Sequence, residues 1–247
     1  QRSTEANFRL GCLLAFVAGA VNAGGFLAIN RYTSHMSGII SGVGDDFALG
    51  NISAVLGGLT LLASFLFGSA TTAVLVNWGH RKNIRSQFAV PLLLEASLLL
   101  CFGILGADID MDGRVKIFII TPMLCFVMGL QNAVITKISK AEIRTTHMTG
   151  VVTDIGIELG KLIYWNKSQE ANRNGQVIAN RKKLRTHALI LSMFFVGGIS
   201  GAVSFKYLGY LSVAPISLVL VLVASVQIIR DLRIWWRAVS VAFHIKG

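Results

Sequence analysis

Six stretches of this chain run for about 20 residues with almost no charge, the length an α-helix needs to cross a bilayer. They are Leu10–Asn30, Phe47–Gly79, Ser86–Ala107, Ile117–Thr136, Ala188–Phe205 and Tyr207–Ile229. Glu95 is the single acid inside them, and Phe47–Gly79 is longer than one crossing requires. Of the 247 residues, 53% are hydrophobic and only 14% are charged. A soluble domain carries about 25% charged residues, so this chain cannot cover a water-facing surface. The reading is an all-α protein that crosses the membrane several times. The same composition excludes a disordered chain, a collagen and a disulfide scaffold. Cys12, Cys101 and Cys125 each lie in an apolar run with no CxxC and no histidine at ligand spacing. They read as buried packing residues rather than metal ligands or disulfide partners. No small-residue cleavage site follows a short apolar core near Leu10, so the first run reads as a retained anchor.

The net charge is +11. In a soluble chain that would suggest nucleic acid, but here the position of the charges explains it. With six spans and the N-terminus inside, 19 Lys and Arg residues fall in cytoplasmic segments and 4 (Arg31, Arg114, Lys116, Lys206) outside. That is the positive-inside bias of an inner-membrane protein with both termini cytoplasmic, and it leaves no call for a nucleic-acid partner. Trp78, Trp165, Trp235 and Trp236 all fall at cytoplasmic ends, as an interfacial belt would have them. The inner loop Trp165 to Thr186 is rich in Asn, Lys and Arg and has little to pack. The tail 231–247 places Leu232, Trp235, Trp236, Val239 and Phe243 at helical spacing and reads as an amphipathic helix on the inner surface.

The chain also repeats itself. Gly19-Ala-Val-Asn22-Ala23 echoes Gly129-Leu-Gln-Asn132-Ala133, and Thr33-Ser-His35-Met36-Ser-Gly38 echoes Thr145-Thr-His147-Met148-Thr-Gly150. Gly44 and Asp46 match Gly156 and Glu158; Phe65 and Gly68 match Phe194 and Gly197; Pro91 matches Pro215. Three spans per copy is an odd number, so the second copy must enter from the opposite side. That predicts a 3+3 inverted repeat, with copies at 1–107 and 108–230 and the tail at 231–247. If the motif segments were full spans, the repeat would be parallel and the charge bias would fall to about 15 against 8.

These motifs carry a family resemblance. Gly129-Leu130-Gln131-Asn132-Ala133 followed by Thr145-Thr146-His147-Met148-Thr149-Gly150 resembles the YoaK-like family of bacterial inner-membrane proteins, a domain of unknown function. The likeness covers nearly the whole chain. It implies a six-helix integral membrane protein and supplies no substrate. The first copy departs from the family pattern. Asn22 stands where the resemblance implies an acid, and Ser34-His35-Met36-Ser37-Gly38 is a loose version of the family's Asn-Met-Thr-Gly run.

Each T-x-H-M-[ST]-G segment suits the start of a short helix after a span, which predicts broken or half helices after spans one and four. Two such helix starts, with their free N–H groups, could seat a small polar or anionic solute near the midplane. The candidate solute-binding residues are Asn22, Thr33, His35, Ser37, Gly38, Gln131, Asn132, Thr145, His147, Thr149 and Gly150. The hydroxyls serve equally well in packing or capping, and the histidines in fixing the motif's backbone. Glu95 sits near mid-depth of its span and its repeat counterpart is Val219. It reads either as a coupling residue or as a neutral acid bonded to a neighbouring helix. Asp154 and Glu158 are further coupling candidates; with Lys161 they share one helix face and can form local ion pairs. The glycine faces at Gly68 and at Gly197, Gly198 and Gly201 are assigned to helix packing, with subunit contact in a homo-oligomer as a second use.

No Walker A, dinucleotide, HExxH or GxSxG pattern is present, and no cofactor or metal is expected. His147 with Thr146 or Asp154 is the only weak catalytic grouping, so the chain is not read as an enzyme. The expectation is a transporter or permease for a small solute. The alternatives are a passive channel of the same build and a non-transporting membrane partner.

Overall fold

The computed structural model describes residues 4–82, 84, 86–107, 113–138, 148–164 and 177–244. Among them there is no strand. Eight helices follow in order: α1 Thr4–Ile29, α2 Met36–Ala48, α3 Ile52–Arg81, α4 Ala89–Ala107, α5 Gly113–Ile138, α6 Met148–Ile163, α7 Arg181–Leu208 and α8 Val213–His244. Five stretches are long and apolar enough to cross a membrane: Phe8–Ile29, Ile52–Arg81, Ala89–Ala107, Phe118–Ile138 and Arg181–Asp231. The last, 51 residues, holds both α7 and α8. They are joined by a 3-10 turn, Gly209–Ser212, entered at a glycine with φ +57°, a backbone that a side chain would resist. In α2 the 13 residues make about 20 Å of helix, too short for a hydrocarbon core of about 30 Å. The 30 residues of α3 make about 45 Å and outrun it. α8 continues without a break from its apolar run to His244, so the backbone of the tail as far as that residue belongs to the last helix.

Between helices in lipid no hydrophobic force draws partners together; close backbone approach at small residues does that work. Four glycines make the two tightest seams. Gly19 of α1 lies against the Phe194 carbonyl of α7, and Gly197 of α7 lies against the Phe16 carbonyl of α1. In the same way Gly129 of α5 meets the Phe65 carbonyl of α3, and Gly68 of α3 meets the Phe126 carbonyl of α5. A methyl group at any of the four would collide with backbone. Ser69 and Thr72 of α3 donate to the Gly129 and Leu130 carbonyls at 3.0 and 2.9 Å. Across the other seam, Gly198 and Gly201 face the Gly19 and Ala20 carbonyls.

The seams also set direction. Phe16, Ala20 and Gly24 meet Gly197, Gly201 and Phe205 in rising order, so α1 and α7 are parallel. α3 and α5 are parallel too, from Phe65 on Gly129 to Asn77, which accepts from Lys137 Nζ at 3.1 Å. α4 and α8 are antiparallel: Ser86 N–H donates to Asp231 Oδ2 at 2.5 Å, and Gly103 packs on Val213 at the other end. α1 and α5 are antiparallel, with Gln131 Nε2 donating to the Leu14 carbonyl at 3.3 Å and Gly25 against Leu124. The core runs through Leu14, Val17, Leu92, Leu99, Met128 and Leu220, drawn from four of these helices. Cys125 is buried in it and Cys12 is half-buried, but Cys101 faces outward from α4. That corrects the expectation that all three are buried: α4 is apolar on every side, so its outer face reads like its inner one.

Candidate functional site

Sequence periodicity carries α1 smoothly to Ile29, where Asn30 takes a left-handed backbone (φ 52°) and stops it. The chain does not then continue outward. Ser34 Oγ donates to Asn22 Oδ1 at 2.8 Å, and Asn22 lies seven residues back along α1, about 10 Å from its end. Tyr32 stacks on Phe26 on the way, ring centroids 4.5 Å apart. Residues 30–35 therefore fold back down the side of α1, and Ser34, two residues before α2, meets α1 about two-thirds of the way along the Phe8–Ile29 span. The chain reverses again at Gly50 (φ 71°) and Asn51, whose side chain accepts from Ala54 N–H at 3.4 Å as the cap of α3. α2 and the first turns of α3 then lie side by side, Val43 on Gly58.

The start of α2 collects the first motif. Thr33 is 1% exposed, and its Oγ1 has no hydrogen-bond partner among the described residues. His35 is the residue before the first turn and no side chain caps that turn; Met36 N–H donates to the Ser34 carbonyl at 3.1 Å, and the N–H groups of Ser37 and Gly38 have no side-chain cap. The His35 ring lies over Gly38, which explains the glycine: a methyl there would strike the ring. Ser37 is exposed. Across α1, Gln131 is fully buried with Oε1 unpartnered, and its neighbour Asn132 leaves Oδ1 unpartnered. Ser34, at the unspecified position of the motif, was missed in the sequence because nothing there tells it from a filler. Thr121, Ser217 and Gln227 were also missed; each is buried with an unpartnered polar atom, and the clue was a polar residue inside a charge-free run.

In the second motif, Thr145 and His147 lie outside the described residues. Met148 opens α6 and packs on the core; Thr149 is exposed and Gly150 half-buried. Asp154 and Glu158 do not join these groups. Lys161 Nζ donates to Glu158 Oε1 at 2.8 Å, and Asn180 N–H donates to Glu158 Oε2 at 2.6 Å. Lys183 Nζ donates to Asp154 Oδ1 at 3.1 Å. His187 presents Nδ1 to the Lys183 carbonyl at 2.8 Å and Nε2 to Asp154 Oδ2 at 3.3 Å. This cluster clasps α6 to the first turns of α7. The Glu158–Lys161 pair is the local one expected; Asp154 instead bridges to α7, from a part of the chain that spacing alone cannot connect.

The clasp holds both carboxyls below their usual range. For Asp154 the hydrogen bond from Lys183 is the main cause, and for Glu158 that from Lys161, then that from Asn180 N–H. A depressed carboxyl adds stability that is complete above its unfolded value, about 4, and is lost as pH falls through the lower folded value. Hydrogen exchange in α6, corrected for intrinsic rate, is thus expected to stay flat from about pH 7 to about pH 5 and to rise below about pH 4. Exchange that already rises at about pH 6 would mean the clasp is not held by these carboxylates.

Glu95 is 0% exposed on α4 and neither carboxyl oxygen has a hydrogen-bond partner among the described residues. The neutral acid bonded to a neighbouring helix, one of its two sequence readings, is not what the structure contains.

These helices, apolar outside and close-packed at glycine inside, define a multi-pass helical membrane protein. The chain belongs to the family described as "Protein of unknown function (DUF1275)", whose model matches residues 10–226. It is similar to the UPF0700 transmembrane protein YoaK of Bacillus subtilis (strain 168), 24% identical over 188 residues that cover 76% of this chain and 79% of the relative. No solved structure matches it.

Proposed function

We propose that the protein is a transporter or permease for a small polar or anionic solute, built as six spans in a 3+3 inverted repeat. Copies at 1–107 and 108–230 are followed by the tail 231–247, with both termini cytoplasmic in the inner membrane. The helix directions support this topology. α1 and α5, which occupy matching places in the two copies, run antiparallel; a parallel repeat of four spans each would make them parallel. The reciprocal seams support it as well, since Gly19, Phe16, Gly68 and Phe65 correspond to Gly129, Phe126, Gly197 and Phe194.

The observation that carries the solute site is the return of the chain from the end of α1 to Asn22 and the start of α2 beside it. Non-helical backbone at that depth is tolerated when it is buried or lines a water-filled cavity. A half helix starting there leaves the N–H groups of Ser37 and Gly38 without a side-chain cap and carries a partial positive charge at that end. The second copy would bring Thr145, His147, Thr149 and Gly150 to the opposite side of the same centre, with Gln131 and Asn132 between. Asp154 and Glu158 are engaged at the α6–α7 clasp, which leaves Glu95 for coupling. A catalytic reading of Asp154 with His147 is disfavoured by the same engagement. The partners are a small solute and the bilayer, and the outward apolar faces leave room for a homo-oligomer.

The test is reconstitution of the purified chain in liposomes, with a panel of small anionic and zwitterionic metabolites read first by thermal shift and then by flux. A ligand whose shift disappears in His35→Ala and in His147→Ala is the expected result. Flux that never runs uphill under any ion gradient would favour a channel of the same build. No shift and no flux across the panel would favour a non-transporting partner protein.

A further inference from the structure

Glu95 is alone. α1 has no charged side chain from Leu10 to Ile29, α3 none from Ile52 to Gly79, α5 none from Phe118 to Thr136, α7 none from Ala188 to Phe205 and α8 none from Val213 to Ile229. Apart from the cysteines, these stretches hold no other titratable group; Tyr210, in the turn between α7 and α8, sits at the far end of α4 against Phe102 and Gly106. The crossing of α4 and α8 is bracketed by Ser86 with Asp231 at one end and Gly103 with Val213 at the other. Glu95 lies about midway, beside Ala96 on α4 and level with Leu220 on α8. In the proposed repeat Ala96 and Leu220 are equivalent, so Glu95 stands next to the pseudo-twofold axis.

A carboxylate in an apolar interior needs its charge balanced, and among the described residues no cation pairs with Glu95. The balance is then to come from something that arrives and leaves. A metal ion would need several oxygen ligands around it, whereas among the described residues no polar atom bonds either oxygen of Glu95. A proton needs none. We propose that Glu95 is the proton-binding site of the protein, a single carboxyl reached in turn from each side of the membrane. The carboxylate takes one proton from one side to become a neutral acid. It releases that proton to the other side and is again a carboxylate. The cycle carries one proton and no electrons. Its use in driving a solute rests on the carrier reading, but its protonation does not.

The purified full chain in detergent would be treated with dicyclohexylcarbodiimide, a small apolar reagent that adds to protonated carboxyls, and mapped by mass spectrometry. Glu95 is expected to be labelled, with labelling falling as pH rises and unaffected when potassium chloride is replaced by sodium chloride. E95Q should lose that adduct, and its infrared difference spectrum should lose one carboxylic C=O band. Protection by sodium would overturn the proton in favour of a metal cation. Labelling at other acids with none at Glu95 at any pH, and no infrared band, would sink the proposal altogether. In liposomes, E95Q is expected to lose uptake driven by a pH gradient. A wild-type chain that moves no solute but labels at Glu95 would refute the carrier and leave the proton site standing.

Discussion

Gly129→Leu is expected to yield no folded protein. The Cα of Gly129 lies so close to the Phe65 carbonyl that even a methyl group meets backbone, and backbone on α3 cannot step aside as a side chain can. Overpacking of a tight core costs about 1–3 kcal/mol, and a collision with main chain belongs at or beyond the upper end. The pair would part, and the hydrogen bonds from Ser69 and Thr72 to the Gly129 and Leu130 carbonyls would go with it. Gly19→Leu, Gly68→Leu and Gly197→Leu should behave alike. Gly156→Ala and Gly160→Ala are the controls. Both glycines are exposed on α6 with open space around them, and alanine is the better helix former by about 1 kcal/mol. Size-exclusion profiles and melting in detergent would separate the two sets. A Gly129→Leu chain that elutes and melts like the parent would show that α3 and α5 do not meet as described.

Asn22→Leu is expected to abolish solute flux while leaving the protein folded. The change removes the acceptor of Ser34, and a lost hydrogen bond of this kind costs about 1 kcal/mol net, with about 1–3 kcal/mol more where a buried polar group is stranded. Asn22 is half-buried on α1 and makes none of the glycine seams, so the bundle should hold. The loop 30–35 would detach and the start of α2 would leave the centre. Ser37→Cys in the Asn22→Leu background should change its rate of reaction with a charged maleimide relative to Ser37→Cys alone. Unchanged labelling and unchanged flux together would mean that α2 is seated by something other than Asn22.

Much of this architecture was legible in the sequence because lipid removes ambiguity. A bilayer forces every backbone group to pair within its own helix, so apolar length alone located the long helices. Gly68, Gly197, Gly198 and Gly201 were readable as packing residues because few other roles exist for glycine inside a span. The short helices α2 and α6 were legible only through the duplicated motif, since 13 and 16 residues of mixed polarity would otherwise pass for loop. The limits are equally physical. The return of residues 30–35 to Asn22 depends on Ser34, whose identity carries no signal at a variable position. The partner of Asp154 is Lys183, 29 residues away on another helix, and helical spacing speaks only to neighbours three or four apart. A polar residue in an apolar run shows that something must meet it, as with Gln131, but not what.

The two glycine seams join helices from opposite ends of the chain. α1 pairs with α7, and α3 pairs with α5, so neither 1–107 nor 108–230 is a bundle by itself. Each lends its second long helix to the other, as two clasped hands exchange fingers. In the proposed transporter, the bodies that would move against one another are then not the halves of the sequence. One is α1 with α7 and the α6 clasped to it; the other is α3 with α5 and the α2 laid along it; α4 and α8 form the axle between. On the proposed inverted repeat, a gene for one half alone would have had to make two copies, inserted head-up and head-down, before either could bury its glycines.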